Sequence, residues 1–338
     1  MELRILTTDK NISLYGRYTK KNDLPAFDWP NSGMSFRFRG NAISVCFTPF
    51  DTVEPVYVRV TVDGKARRFC LTSGQERVIV EGLQNRVHDF ELLKVSESPF
   101  RICPSEIIIN GITPAIYPTV NNNTAKPKIE FIGDSLTAGY GNLSEPTVTV
   151  YLAAEQDSTR AYPYIVSKFI GAEAHYVCFS GKGIVNSWNG EREYEIPEIF
   201  TTASRETKEP WDFNSWTPDV VMVNAGTNDY NGGVQDEEFI EYAKKFLEFI
   251  RSKYPDAYIV WAYGLTTVKA EPALKKAVEE FNDPKVSYLH LPSMYEYKDE
   301  IGGNGHPNAK CHARTAKLVA KYIKKLCGIS ARSVKPLD

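Results

Sequence analysis

The hydrophobic pattern of this chain changes its period near residue 120, and that change limits the folds open to it. Before that point apolar residues alternate with polar ones, most clearly in Val56–Val62, where the valines are separated by Tyr57, Arg59 and Thr61. Such alternation buries one face of a strand and leaves the other in water. From Lys128 onward, short apolar runs alternate with segments of helical periodicity, which indicates parallel strands joined by helices. We therefore expect two domains of different fold class.

The first domain, residues 1–120, is predicted to be an all-β jelly roll or β-sandwich. Its strands are expected at residues 34–38, 43–47, 56–62, 66–71, 76–81, 88–95 and 106–109. The pair Asp63-Gly64 falls between two of these runs and favours a hairpin turn. Many short antiparallel strands with turn signals between them are typical of sandwiches and jelly rolls.

A polar stretch separates this domain from the rest of the chain. Residues 118–127 are bounded by prolines and contain three consecutive asparagines, so we interpret residues 121–127 as a linker. The second domain, residues 128–338, is predicted to be a three-layer α/β fold with a parallel sheet and right-handed crossovers. Its strands are expected at residues 128–132, 173–178, 219–224, 257–262 and 286–290, with long helices at 236–254 and 308–326.

A serine follows the first strand of the second domain at once, in the sequence Gly133-Asp134-Ser135. A strand-to-helix turn brings such a hydroxyl to the carboxyl edge of the sheet, where a helix N-terminus favours negative charge. Both features suit a nucleophile that passes through an oxyanion. Taken alone, the motif is equally compatible with a capping serine in an ordinary turn.

Three further polar stretches fall where an ester hydrolase would need them, at 179–184, 224–229 and 304–307. Acyl transfer requires a nucleophile, a base and donors for the oxyanion. Because these stretches and Ser135 all follow strands or precede the last helix, we expect them at one edge of one sheet. Ser135 is the predicted nucleophile and His306 the predicted base.

The predicted oxyanion donors are the backbone amides of Ser135 and Gly181 and the side-chain amide of Asn228. Gly183 competes with Gly181 for this role, and the sequence leaves that choice open. Asn228 has a second interpretation as a turn former, which is the commoner role of asparagine. His306 likewise has a second interpretation as a helix N-terminal residue with a satisfied ring.

Ser135, Gly181, Asn228 and His306, in this order, resemble the SGNH or GDSL hydrolase superfamily. A closer resemblance, to the family 2 carbohydrate esterases, is carried by Tyr15–Arg17, Ser180–Ile184, Trp216–Asp229 and His306–Asn308. In that family a jelly-roll domain precedes the hydrolase domain. The resemblance implies an O-acetyl esterase that deacetylates xylan-type polysaccharides or oligosaccharides through a Ser–His acyl-enzyme mechanism. The sequence has no phosphate loop, metal cluster or nucleotide fingerprint, so no cofactor or metal is expected.

One departure from the superfamily pattern concerns the histidine. Superfamily members usually carry an aspartate three residues before it, and here that position is Gly303, followed by Asn304. Loss of a triad aspartate costs one serine protease about 10⁴-fold in kcat. We therefore expect a Ser–His dyad in which Asn304 or the backbone of Gly303 orients His306, while a carboxylate from elsewhere in the chain remains an alternative.

Three aromatic residues near the motifs, Trp188, Tyr230 and Trp261, are candidates for stacking on sugar rings, although each is more often a core residue. Two other functions stay open at this point. One is a lipase or thioesterase acting on longer acyl chains, and the other is a non-catalytic sugar-binding protein.

Charge and cysteine usage limit the partners and the compartment. The 40 basic and 42 acidic residues give a net charge of −2, so neither nucleic acid nor an anionic membrane is an expected partner. The six cysteines show no metal-ligand spacing, which favours reduced structural thiols. The first residues lack the apolar core of a signal peptide, so a cytoplasmic protein is expected, or a secreted one if a leader has been removed. The oligomeric state is not indicated.

Overall fold

The computed structural model describes residues 1–50, 54–74, 77–97, 101–120 and 126–328. Two compact units form, one from Met1–Thr124 with Ala203–Glu209 and the other from Ala125–Thr202 with Pro210–Asp338. The predicted boundaries place residues 203–209 in the second domain, whereas the structure groups them with the first unit. The predicted linker at 121–127 falls mostly outside the described residues, which resume at residue 126.

The first unit is a β-sandwich of antiparallel strands. Its strands are β1 Glu2–Leu6, β2 Ser13–Tyr15, β3 Thr19–Lys21, β4 Leu24–Ala26, β5 Gly33–Gly40, β6 Ala42–Phe47, β7 Val56–Val62, β8 Lys65–Leu71, β9 Arg77–Val80, β10 Arg86–Lys94, β11 Pro104–Asn110 and β12 Ala115–Tyr117. One large sheet has the order β1-β11-β6-β9, and the other has the order β12-β5-β10-β7-β8, with β2 also paired to β5. Strands β3 and β4 form a separate two-stranded sheet. The apolar residues of both sheets share one core.

The predicted alternation and hairpin are both present in this unit. Along β7 the valines are buried and the residues between them are half-buried. Asp63 and Gly64 have φ angles of 49° and 79°, the left-handed backbone that a tight two-residue hairpin turn requires. All the predicted strands form, except that residue 76 of the predicted 76–81 strand lies outside the described residues.

A buried ionic cluster holds Ala203–Glu209 in the first unit. Asp28 accepts hydrogen bonds from the hydroxyl of Ser204 at 3.0 Å and from the backbone amide of Glu206 at 3.1 Å, and it pairs with the Arg205 guanidinium at 3.4 Å. Burial raises the pKa of the Asp28 carboxyl, but Arg205, Lys94 and the hydrogen-bond donors outweigh burial and hold that pKa below its ordinary value. Asp28 therefore stays ionised although it is buried.

Replacement of Asp28 by alanine is expected to destabilise the protein by about 3–5 kcal/mol, because it leaves the buried guanidinium of Arg205 without its carboxylate. Thermal unfolding followed by circular dichroism measures the effect. Asp256→Ala serves as the control, since that side chain is fully exposed. An unfolding curve of Asp28→Ala that matches the control would show that the cluster adds no net stability.

The second unit is a three-layer α/β fold around a parallel sheet. Its strands, β13 Lys128–Gly133, β14 Glu173–Cys178, β15 Val220–Asn224, β16 Tyr258–Tyr263 and β17 Val286–His290, pair in the order β14-β13-β15-β16-β17. Its helices are α1 Ser135–Ala138, α2 Tyr162–Ile170, α3 Ile196–Phe200, α4 Thr227–Asn231, α5 Asp236–Lys253, α6 Glu271–Phe281 and α7 Ala309–Leu326. One core packs α3, α5 and α6 against the sheet, and a second packs α2 and α7 against it.

No described helix combines the length and the apolar character needed to cross a membrane. No group of three or more histidine, cysteine or acidic side chains in the described part of the chain is arranged to hold a metal ion. All six cysteines, each within the described ranges, are thiols.

Candidate active site

Ser135 and His306 meet at the carboxyl edge of the parallel sheet. Ser135 is the first residue of α1, directly after β13, and His306 follows a short turn at Gly303–Gly305 that leads into α7. The Nε2 atom of His306 lies 2.9 Å from Ser135 Oγ, and its Nδ1 atom lies 2.9 Å from the Asn304 carbonyl oxygen. A carbonyl can only accept a hydrogen bond, so Nδ1 carries the proton and Nε2 is free to accept one from Ser135.

The turn before the histidine shows how the ring is oriented. Asn304 has the left-handed angles φ 50° and ψ 39°, and its carbonyl faces the imidazole. The Gly303 carbonyl instead accepts the His306 backbone amide at 3.1 Å. Of the two predicted orienting groups, Asn304 is the one in contact with the ring, and the contact is made by its backbone carbonyl. No carboxylate of a described residue pairs with His306.

Packing around Gly303 leaves no room for the aspartate that superfamily members carry there. A Cβ atom built on Gly303 would lie 2.4 Å from the Ser144 side chain, closer than any real contact. Gly303 also donates its amide to the Gly141 carbonyl at 3.1 Å, which fixes the turn beside the segment that follows α1. In this packing an aspartate at position 303 would clash with the Ser144 side chain.

Partial burial keeps His306 neutral at lower pH than usual. Desolvation lowers the pKa of its imidazole, and the hydrogen bond to Asn304 opposes that shift without cancelling it. A lowered pKa suits a base, because the ring stays unprotonated and ready to accept the Ser135 proton as the solution becomes mildly acidic.

We expect the acidic limb of the pH profile of kcat/KM to have its midpoint below about 6.5, the ordinary pKa of histidine. The sign follows from the mechanism, since only neutral His306 acts as the base, and activity falls as pH drops through the lowered pKa. Initial rates on an aryl acetate between pH 4.5 and 9 would measure the limb. The control variant His290→Asn, which replaces a half-exposed histidine paired with Glu271, should leave the midpoint of this limb unchanged. A midpoint above about 7 would contradict the assignment.

Two backbone amides near the serine are available to an oxyanion. Within the described chain neither Ser135 nor Gly181 donates its amide to another group, and Gly181 adopts a left-handed φ of 81°. The competing Gly183 donates its amide to Glu195 Oε2 at 2.9 Å. The structure therefore favours Gly181 over Gly183 as a donor, an alternative that the sequence left open.

Asn228 lies beside the nucleophile with both amide hydrogens engaged. From the start of α4 its Nδ2 donates to Asp134 Oδ2 at 3.1 Å and to the Lys182 carbonyl at 2.9 Å. Asp134 also caps α1 by accepting the Leu136 amide at 2.9 Å. A substrate oxyanion would have to share or replace one of these acceptors, so the donor role of Asn228 stays a prediction.

Asp229 fixes the loop that carries the Gly181 amide, a role that the sequence did not reveal. This fully buried carboxylate accepts the amides of Ile184 at 2.9 Å, Val185 at 2.7 Å and Asn186 at 3.3 Å. The sequence signal for this role is that Asp229 directly follows Asn228 after the third strand, although the sequence analysis assigns a functional role to Asn228 alone. The position of the loop thus depends on two neighbours in α4, Asn228 and Asp229.

The three aromatic candidates lie in different environments. Trp188 is 62% exposed, and its amide donates to the Gly181 carbonyl at 2.9 Å, which places it next to the predicted oxyanion donors. The prediction for Trp261 was wrong, because this residue of β16 points into the core and donates to the Ala225 carbonyl at 3.1 Å. Tyr230 is half-buried and packs against Phe239 in the core. Trp188 is thus the exposed member of the set.

One aromatic residue that the sequence analysis did not single out contacts the base itself. The ring of Tyr140 lies 4.5 Å from that of His306, centre to centre, at an angle of 40°. Tyr140 follows α1 only five residues after Ser135, and this closeness in the chain is the signal that the sequence offers. It forms one wall beside the imidazole.

Comparison with known proteins gives the chain two family matches. Residues 131–314 match the GDSL-like Lipase/Acylhydrolase family, and residues 14–111 match the Carbohydrate esterase 2 N-terminal family. The first match covers more than half of the chain and includes the serine, glycine, asparagine and histidine described above.

Two curated proteins are similar in sequence. The cellulase/esterase CelE of Acetivibrio thermocellus is 28% identical over 212 residues, which are 60% of this chain and 26% of CelE. The chain thus spans about a quarter of the length of that relative. An acetylxylan esterase/glucomannan deacetylase of Cellvibrio japonicus is 23% identical over 320 residues, which are 90% of this chain and 86% of the relative.

A solved structure shares the architecture of the whole chain. The acetyl xylan esterase Est2A from the rumen bacterium Butyrivibrio proteoclasticus superposes with a TM-score of 0.87 at 20% sequence identity, covering 97% of this chain and 99% of Est2A. At this identity the similarity shows the fold, a jelly-roll-type domain followed by a parallel α/β domain.

Proposed function

The chain belongs to the GDSL-like Lipase/Acylhydrolase family, and we propose that it is a carbohydrate O-acetyl esterase acting on xylan-type polysaccharides or oligosaccharides. The observation that carries the proposal is the 2.9 Å contact between Ser135 Oγ and His306 Nε2, together with a Gly181 amide that donates to no group in the described part of the chain. The names of the relatives, acetylxylan esterase and glucomannan deacetylase, support the acetyl and carbohydrate parts of the proposal.

The proposed reaction begins when His306 Nε2 takes the hydroxyl proton of Ser135. The Oγ atom attacks the acetyl carbonyl carbon, and the carbonyl electrons move onto the oxygen, which the amides of Ser135 and Gly181 stabilise. Asn228 adds a donor when its amide turns from a resting acceptor toward the oxyanion. As the intermediate collapses, His306 gives its proton to the departing sugar oxygen. Water, deprotonated by the same ring, then attacks the acetyl-serine, and His306 returns that proton to Ser135 Oγ as the Oγ–acyl bond breaks and acetic acid leaves.

The Asn304 carbonyl takes over the orienting part of the triad carboxylate. Its bond to Nδ1–H fixes the tautomer and the direction of Nε2, as the aspartate does in a Ser-His-Asp triad. A neutral carbonyl gives less support to the imidazolium than a carboxylate.

The acyl group and the sugar are tested separately. Rates on aryl acetate and aryl octanoate compare chain lengths, and preference for octanoate would favour a lipase or thioesterase. Deacetylation of acetylated xylan and glucomannan oligosaccharides, followed by NMR, identifies the sugar and the hydroxyl.

Trp188→Ala should raise KM on oligosaccharides and leave KM on the aryl acetate unchanged, because the exposed indole is expected to stack on sugar. Absence of Ser135-dependent turnover on every substrate would favour a sugar-binding protein.

A further inference from the structure

His306 lacks a carboxylate partner but has an aromatic one. The Tyr140 ring is in van der Waals contact with the imidazole, 4.5 Å between centres. Aromatic faces are electron-rich, and a cation held against one is stabilised. His306 becomes a cation once the serine proton has moved, so the two rings attract each other more strongly in the charged state than at rest.

Tyr140 is fixed on both sides of this contact. Tyr151 stacks on it at 4.9 Å between ring centres and donates its hydroxyl to Gln156 Oε1 at 2.8 Å. Gln156 in turn donates to the Ala138 carbonyl at 3.2 Å, in the helix that begins with Ser135. Asn304 Nδ2 donates to the Tyr140 hydroxyl at 3.3 Å. The phenol is thus connected to the helix that carries the nucleophile and to the turn that orients the base.

We propose that Tyr140 is a positioning residue that stabilises the His306 imidazolium through its aromatic face and so supplies part of what the absent triad carboxylate would give. The inference rests on the proposed esterase mechanism for its catalytic consequence. The interaction between the two rings can be measured without any substrate.

The hydrogen-bond partners of the His306 ring carry no charge. Ser135 and the Asn304 carbonyl are neutral hydrogen-bond partners of the ring. Asp134 directs its two oxygens to Leu136 and Asn228. Burial lowers the pKa of the neighbouring His312 to about 3, so it is uncharged in the working range. Within the described ranges, the direct contacts of the His306 ring that favour a positive charge are the Tyr140 face and the Asn304 carbonyl.

The test places a series of aromatic side chains of similar shape at position 140, in which the electron density of the ring falls from one member to the next. Tyr140→Phe keeps the ring, and 3,5-difluoro- and 3,4,5-trifluorophenylalanine at the same site withdraw electrons from it. The pKa of His306 is read from its ring ¹³C–¹H NMR signal in the resting enzyme, assigned by comparison with His306→Asn. We expect it to fall stepwise by about half a unit to one unit across the series, with kcat on an aryl acetate falling about 3- to 10-fold.

The same substitutions at Tyr151 provide the matched control, since that ring stacks on Tyr140 and not on His306. They should leave the His306 pKa within error of Tyr151→Phe. Identical pKa and kcat values across the Tyr140 series would overturn the proposal and reduce Tyr140 to packing. A stepwise pKa fall in a protein without Ser135-dependent turnover would uphold the ring interaction and reject the esterase function instead.

Discussion

Ser135→Ala is expected to lower kcat on an aryl acetate by at least about 10⁴-fold while the protein stays folded. The hydroxyl is the atom that attacks the carbonyl, and His306 has nothing to deprotonate in its absence. The residual rate should reflect only the amides and the binding of the ester. Steady-state kinetics measures the loss, and circular dichroism confirms folding.

Two further variants serve as controls for Ser135→Ala. Ser215→Ala is the matched control, because that exposed hydroxyl only donates to the Asp212 carbonyl and should leave the rate unchanged. The double variant Ser135→Ala/His306→Ala should be no slower than Ser135→Ala alone, since residues that act as a unit are not additive. Retention of more than about a tenth of the activity in Ser135→Ala would mean that another group is the nucleophile.

Asn228→Ala is expected to lower kcat by about 10²–10³-fold, with KM little changed, as for loss of one oxyanion donor elsewhere. The resting amide donates to Asp134 and the Lys182 carbonyl, so it must transfer a hydrogen bond to the substrate oxygen as charge develops there. An interaction made mainly in the transition state affects kcat more than KM. The same kinetic assay applies.

The controls for Asn228→Ala distinguish loss of an oxyanion donor from a general effect on the fold. Asn231→Ala changes an exposed asparagine of the same short helix and should be neutral. Asn228→Asp should be no better than alanine, because a carboxylate repels both the oxyanion and Asp134. A drop below about fivefold in folded Asn228→Ala would assign the oxyanion to the backbone amides of Ser135 and Gly181.

The sequence predicted the sheet and the meeting of Ser135 with His306 for a simple physical reason. Parallel strands all end at one edge, so residues that follow them in the chain come together whatever the intervening loops do. Period-two alternation likewise located strands such as β7, because a one-residue shift would have placed its valines in water. These features depend on local pattern alone.

Features that depend on partners distant in sequence could not be predicted. Gly183 is excluded as a donor only because Glu195, twelve residues later in an irregular loop, accepts its amide. Trp261 was misassigned because its position on a strand buried on both faces gives no alternation to distinguish core from cleft. The hydrogen bonds of Asn228 and the contact of Tyr140 with His306 likewise require the packed loops around α1 and α4.

The grouping of Ala203–Glu209 with the β-sandwich has a consequence for how such proteins recombine. The polypeptide passes between the two units three times, so no single cut in the gene separates them. A hydrolase half transplanted from residue 126 would carry Arg205 without the Asp28 that neutralises it. Exchange of modules between relatives is therefore expected to succeed only when this heptapeptide and the sandwich are inherited from the same parent.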